Sequence, residues 1–139
     1  MRFNWLRRPK TATAKQELGA RGEKAAAKYL RRHGYKILLR GFRSRSGEID
    51  IVCRHKDWLV FVEVKTRESE QFGAPSEAVD ERKQRHITKV ALDYLRLLDN
   101  PPIKFRFDIV EVLMRNDARK PNAVSLIQNA FDLSEPYIY

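Results

Sequence analysis

Two stretches of the chain, GEIDIVCR (residues 47–54) and WLVFVEVKTR (residues 58–67), are rich in β-branched and aromatic residues. Only His55, Lys56 and Asp57 separate them, which predicts a β-hairpin. Period-two alternation puts Glu48, Asp50 and Val52 on one face of the first strand, and Leu59, Phe61, Glu63 and Lys65 on one face of the second. With Lys56-Asp57 as a two-residue loop, His55 pairs with Trp58, Asp50 falls opposite Glu63 and Glu48 opposite Lys65. Charges inside otherwise apolar strands are costly unless they are paired, hydrogen-bonded or metal-bound. Three carboxylates and one ammonium in one patch therefore mark where chemistry is to be sought.

The remaining pattern frames this hairpin. Residues 15–33 read as a helix with Leu18, Ala25, Ala26, Tyr29 and Leu30 on its core face and Gly34 ending it. Gly19, Gly22, Glu23, Ala26 and Leu30 form a stripe of mostly small residues that permits close approach to a sheet, and Glu23 is its one acid. Residues 35–39 read as a short strand leading into the basic stretch RGFRSRSG, where the placing of Phe42 between Arg40 and Arg43 permits stacking on an unpaired base, with packing under the loop the favoured use. Gly73 and Pro75 break the pattern after the hairpin. Ser76 or Asp80 then caps a helix reaching residue 98, with Val79, Ile87, Val90, Ala91, Tyr94, Leu95 and Leu98 facing the core. Strands follow at residues 104–114 and 123–128. A hairpin followed by helix and strand requires a crossover, so the fourth strand is expected to run parallel to a hairpin strand, in a mixed sheet of an α/β fold.

At 139 residues and 42% hydrophobic, the chain has the size of one domain. The expected division is a basic N-terminal tail over residues 1–14 and one domain over residues 15–139. No apolar run approaches the roughly 20 residues of a membrane span, and no secretory pattern opens the chain, so a cytoplasmic protein without membrane contact is expected. The lone Cys53 alternates away from Asp50 and reads as a core residue. The net charge of +10 is unevenly placed: residues 1–46 hold 14 Lys and Arg against Glu17 and Glu23, a net of +12. Such asymmetry favours a polyanionic partner. Arg40, Arg43 and Arg45 stand beside the charged hairpin, and Lys83 early on the second helix is placed to touch phosphate, although a solvated helix face is the blander reading.

Hard divalent cations such as Mg2+ or Mn2+ take oxygen ligands, commonly one or two carboxylates completed by water and substrate phosphate. Asp50 and Glu63 supply the carboxylates, Lys65 can orient a water or stabilise charge on a phosphate, and Glu48 can hold a second metal or a metal-bound water. The competing reading is a surface ion-pair ladder of about 0.2–1 kcal/mol per pair. Against it, Asp50 opposite Glu63 is a like-charge pair that calls for a cation or a shared proton. The three histidines, His33, His55 and His86, show no ligand spacing.

The Asp50 … Glu63-Val64-Lys65 pattern resembles the PD-(D/E)XK nuclease superfamily, with Ile49 where the name has proline. More closely, the chain is similar to the YraN family of bacterial proteins. The likeness runs from the Gly22-Glu23 helix through Arg43, Arg45, GEIDIV and FVEVKTR to Gly73-x-Pro75, Ala78-Val79, Lys83 and RFDIV, with Gly41 where relatives usually carry Asn. It implies a restriction-endonuclease-like core, a mixed four- to five-stranded sheet with helices on both faces. It also implies Asp50 and Glu63 as ligands of Mg2+ or Mn2+, Lys65 as catalytic lysine and Glu23 as an accessory acid, as in Holliday-junction resolvase-like members. The expectation is an endonuclease hydrolysing phosphodiester bonds in DNA, including branched DNA, ahead of structured RNA. A homodimer fits the resolvase-like likeness. The alternative is a nucleic-acid-binding module that keeps the fold without chemistry.

Overall fold

Thr13 opens the first helix: its hydroxyl accepts the Gln16 N–H at 3.1 Å while the Gln16 side chain accepts the Thr13 N–H at 2.9 Å, closing a capping box. The structure, a computed structural model, describes residues 13–68, 79–115 and 117–133. The expected tail therefore lies almost wholly outside the described residues, as do the Gly73-x-Pro75 turn and Ser76. Helix α1 is Ala14–Arg32, and Gly34 follows it at φ +85, the left-handed position that glycine supplies at helix ends. The order continues β1 Lys36–Ser44, β2 Gly47–His55, β3 Trp58–Arg67, α2 Glu81–Leu97, β4 Lys104–Leu113 and β5 Ala123–Phe131.

The five strands lie side by side in sequence order. Each neighbouring pair is antiparallel except β3 and β4, which run parallel because α2 carries the chain back to the starting edge. His55 pairs with Trp58 across the Lys56-Asp57 loop, as its length predicts. One face of the sheet packs Ile51, Cys53, Val60, Val62, Val110 and Val112 under α1. The other packs Val52, Leu59, Phe61, Phe107 and Ile109 against Ile87, Val90, Ala91 and Leu95 of α2. This is an α/β fold with helices on both faces, consistent with a restriction-endonuclease-like core. Cys53 is fully buried, and burial pushes its thiol up to about 12, so it acts as a small apolar residue. Among the described residues no helix is long and apolar enough to cross a membrane.

Three boundaries differ from the sequence reading. β1 continues through most of the basic stretch to Ser44, pairing Phe42 with Ile49 and Arg43 with Glu48. Gly41, at φ +68, sits between the pairs Arg40–Ile51 and Phe42–Ile49. Glycine adopts this conformation without strain, and asparagine is the side-chain-bearing residue that tolerates it best. The turn rolls the hairpin over: Ile51 belongs to the α1-side core, whereas Phe42 and Ile49 belong to the α2-side core. Leu98 caps α2 and is 46% exposed rather than buried, because the helix ends at Leu97. β5 extends past Gln128 to Phe131 by way of Asn129, at φ +50, whose N–H donates to Asp108 Oδ1 at 2.9 Å.

The small-residue stripe of α1 acts at one position. A Cβ on Gly22 would stand 2.8 Å from Thr66 Cβ on β3 and clash outright with the rest of that side chain, whereas one on Gly19 would meet nothing within 4 Å. Gly22→Ala is expected to cost about 2 kcal/mol by forcing α1 off the sheet. Gly19→Ala should be neutral or slightly stabilising, since alanine is the better helix former. Urea unfolding of both variants checks the contrast; equal effects would mean that close approach is not what Gly22 provides.

Candidate metal and nucleic-acid site

The site forms where two strands part. The ladder between β2 and β3 runs from His55–Trp58 to Ile51–Val62, while β1 stays paired with β2 to Gly47 and β3 stays paired with β4 to Arg67. Beyond Ile51 the β1–β2 arm therefore leaves β3. In place of a backbone carbonyl, the Val64 N–H finds the side chain of Asp50 and donates to its Oδ2 at 2.8 Å. That bond holds the carboxylate in the gap beside Glu63, whose charge acts on it directly.

Helix α2 closes the gap from one side. Asp80 caps it by accepting the Lys83 N–H at 2.8 Å, and Gln84 donates to the Val79 carbonyl at 2.9 Å, which fixes the first turn. From that turn the Lys83 ammonium reaches Glu63 Oε1 at 3.2 Å. From the other side α1 presents Glu23, which accepts from Arg40 Nε at 3.2 Å and contributes to the field at Asp50. Lys65 acts electrostatically on Glu63.

Burial and charge oppose ionisation here. Loss of solvent, reinforced by the Glu63 charge and then by Glu23, pushes Asp50 up to about 7, although the Val64 N–H and Lys83 pull the other way. Glu63 is raised mainly by burial, against the pull of Lys83, Asp50 and Lys65. A divalent cation would relieve both acids, so the donor set fits one. Among the described residues no group of three Asp, Glu, His or Cys could enclose an ion. Two carboxylates with the remaining positions open match Mg2+ or Mn2+, which keep water and phosphate in their coordination shell.

The basic residues fall in two groups. Arg40 and Arg43 extend from β1, the latter donating to Glu48 Oε2 at 3.1 Å. The expected pairing of Glu48 with Lys65 does not form, because the β2–β3 ladder has ended before it and the carboxylate is taken by the β1 neighbour. Arg45 lies at the exposed hairpin tip, which α2 anchors: Ser44 Oγ donates to Asp93 Oδ2 at 2.7 Å, and this bond, the largest influence on Asp93, holds its carboxyl below the usual range. The Phe42 ring packs against Tyr94, centroids 5.1 Å apart, so its role is structural.

The model of the Uncharacterised protein family UPF0102 matches residues 22–112. The chain belongs to that family. UPF0102 is the YraN family already suggested by the motifs. The UPF0102 protein of Caldanaerobacter subterraneus subsp. tengcongensis is 46% identical over 117 residues, covering 84% of this chain and 96% of that protein. Those of Caldicellulosiruptor saccharolyticus and Syntrophomonas wolfei are 45% and 47% identical, covering 84% and 78% of this chain and 98% and 95% of theirs. The UPF0102 match contains Glu23, Arg40, Arg43, Arg45, Glu48, Asp50, Glu63, Lys65 and Lys83, the entire candidate site.

Sequence reasoning about this UPF0102 chain missed the Val64 N–H, the Asp93 anchor and the contact of Lys83 with Glu63. The last had a signal. A crossover helix begins near the carboxyl end of the strand it leaves, so the third residue after its Asp80 cap falls over the end of β3.

Proposed function

We propose that this protein is a metal-dependent endonuclease that hydrolyses phosphodiester bonds in DNA. The observation that carries the reading is the pair of desolvated acids at the opening between β2 and β3, Asp50 held by the Val64 N–H and Glu63 by Lys83, both raised in pKa and acted on by lysine charge. Asp50 and Glu63 would hold Mg2+ or Mn2+, and such an ion, when bound, supplies stabilisation of the negative charge that builds on the phosphate. Lys65 orients the attacking water or meets that charge. Glu23 is the accessory acid. Arg40, in a half-exposed ion pair, and Arg43, in an exposed one, both of which cost little to open, and Arg45 at the hairpin tip take the nucleic-acid backbone. Glu48, committed to Arg43, serves to position that arginine rather than to bind a second ion. Two copies, each cutting one strand, would suit branched DNA.

Incubation with duplex, single-stranded and branched DNA should give cleavage in Mg2+ or Mn2+ and none in EDTA. Lys65→Ala should slow it by about a hundredfold or more. Absence of cleavage on every substrate, or a Lys65→Ala protein that cuts like the wild type, would overturn the assignment and leave a binding module on the same fold.

A further inference from the structure

Glu63 has a partner that the D…ExK motif does not contain. The Lys83 ammonium lies 3.2 Å from Glu63 Oε1, and the two side chains differ in setting: Glu63 is 12% exposed and Lys83 is 51% exposed. The carboxylate is held in place on a central strand. The ammonium is the mobile member, on a four-carbon stem at the surface, rooted in a helical turn that Asp80 and Gln84 fix. Lys83 also acts on Asp50, so a single positive charge serves both acids. An ammonium and a divalent cation repel strongly at such distances, so they compete for the same carboxylates.

We infer that Lys83 is a positioning residue, the resident counter-ion of Glu63 in the metal-free protein, released to nucleic-acid phosphate when the two carboxylates take up a divalent cation. The inference rests on the metal-dependent reading above and adds a regulatory property to it: nucleic acid and metal bind cooperatively through one side chain. While it is paired with Glu63, Lys83 contributes little to phosphate binding. Once displaced, it stands at the mouth of the site as an unpaired charge. By linkage, whatever factor metal adds to DNA affinity, DNA adds to metal affinity. The two lysines thereby divide their work, Lys65 at the reacting phosphate and Lys83 in coupling ion uptake to substrate.

The test is Mn2+ titration of the full chain at pH 8.5, by calorimetry and by the Mn2+ electron-spin signal, together with DNA affinity in EDTA and in Ca2+. Lys83→Met keeps the stem and removes the charge; it should bind Mn2+ about fivefold more tightly than wild type. Its DNA affinity should fall about threefold in Ca2+ and stay unchanged in EDTA. Lys83→Arg, which keeps the charge, should bind Mn2+ like wild type. Mn2+ affinity in Lys83→Met equal to or weaker than wild type, or a loss of DNA affinity of the same size in EDTA and Ca2+, would overturn the role of Lys83 alone. If wild type takes up no Mn2+, both this inference and the metal-dependent reading fall.

Discussion

Asp50→Asn is expected to yield a protein that is more stable at pH 8 and inert as a nuclease. Asparagine has the shape of the protonated acid: its oxygen can accept the Val64 N–H, and it brings no charge to oppose Glu63. Asp50 titrates near 7 in the folded chain, against about 3.9 when unfolded. Between those values the folded state holds a proton that the unfolded state has lost, so this group's contribution is present at low pH and lost as pH rises through about 4 to 7. Above that window the wild type carries an unrelieved charge, and the variant should gain up to about 4 kcal/mol. Its unfolding free energy should also vary less with pH across the window. Mn2+ should raise the thermal midpoint of wild type at pH 8 and leave Asp50→Asn unmoved, since only ligands that favour the folded state stabilise it. Cleavage should fall by about a thousandfold. A variant less stable than wild type at pH 8 would contradict the electrostatic account; one that still cuts would contradict the metal site.

The largest stability effect is expected on the other face of the sheet. Asp108 is fully buried and accepts from Tyr35 Oη at 2.9 Å, from Arg106 Nε at 3.0 Å and from the Asn129 N–H at 2.9 Å. Arg106, 9% exposed, also donates to Tyr35 Oη at 3.0 Å and lies 2.9 Å from His55 Nδ1, while His55 stacks on Tyr35. Asp108→Ala leaves this guanidinium buried without its counter-ion and the Asn129 N–H without an acceptor. Such losses cost about 3–5 kcal/mol. The double variant Arg106→Met with Asp108→Leu removes both charges and should recover most of that loss, because a buried pair is not intrinsically stabilising against an apolar replacement. Urea unfolding measures both; an Asp108→Ala loss below about 1 kcal/mol would show that the network does not brace β4 and β5.

Asp108 also shows where strand alternation alone is silent. The sequence allows it either to approach the hairpin acids or to pair with Arg106. Its register opposite Val62 puts it under α1, while Glu63, one residue further along β3, faces α2. That choice depends on which β3 residue stands beside it, a contact between segments separated by a whole helix.

By itself the sequence determined the seven elements, the hairpin loop, the parallel return of β4, the core position of Cys53 and the nearness of Asp50 to Glu63. The parallel return follows from the helix between hairpin and strand, which forces a crossover; the others follow from local periodicity, turn length or a cap, which act over a few residues and are written in them. Only the tertiary structure decided that β1 extends through the basic stretch, that the β1–β2 arm leaves β3 after Ile51, that Arg43 takes Glu48 from Lys65, and that Lys83 meets Glu63. These depend on where a ladder stops and how a helix lies across it. Such outcomes are set by the packing of Phe42, Ile49 and Gly22 against partners far away in the chain, where no local pattern records them.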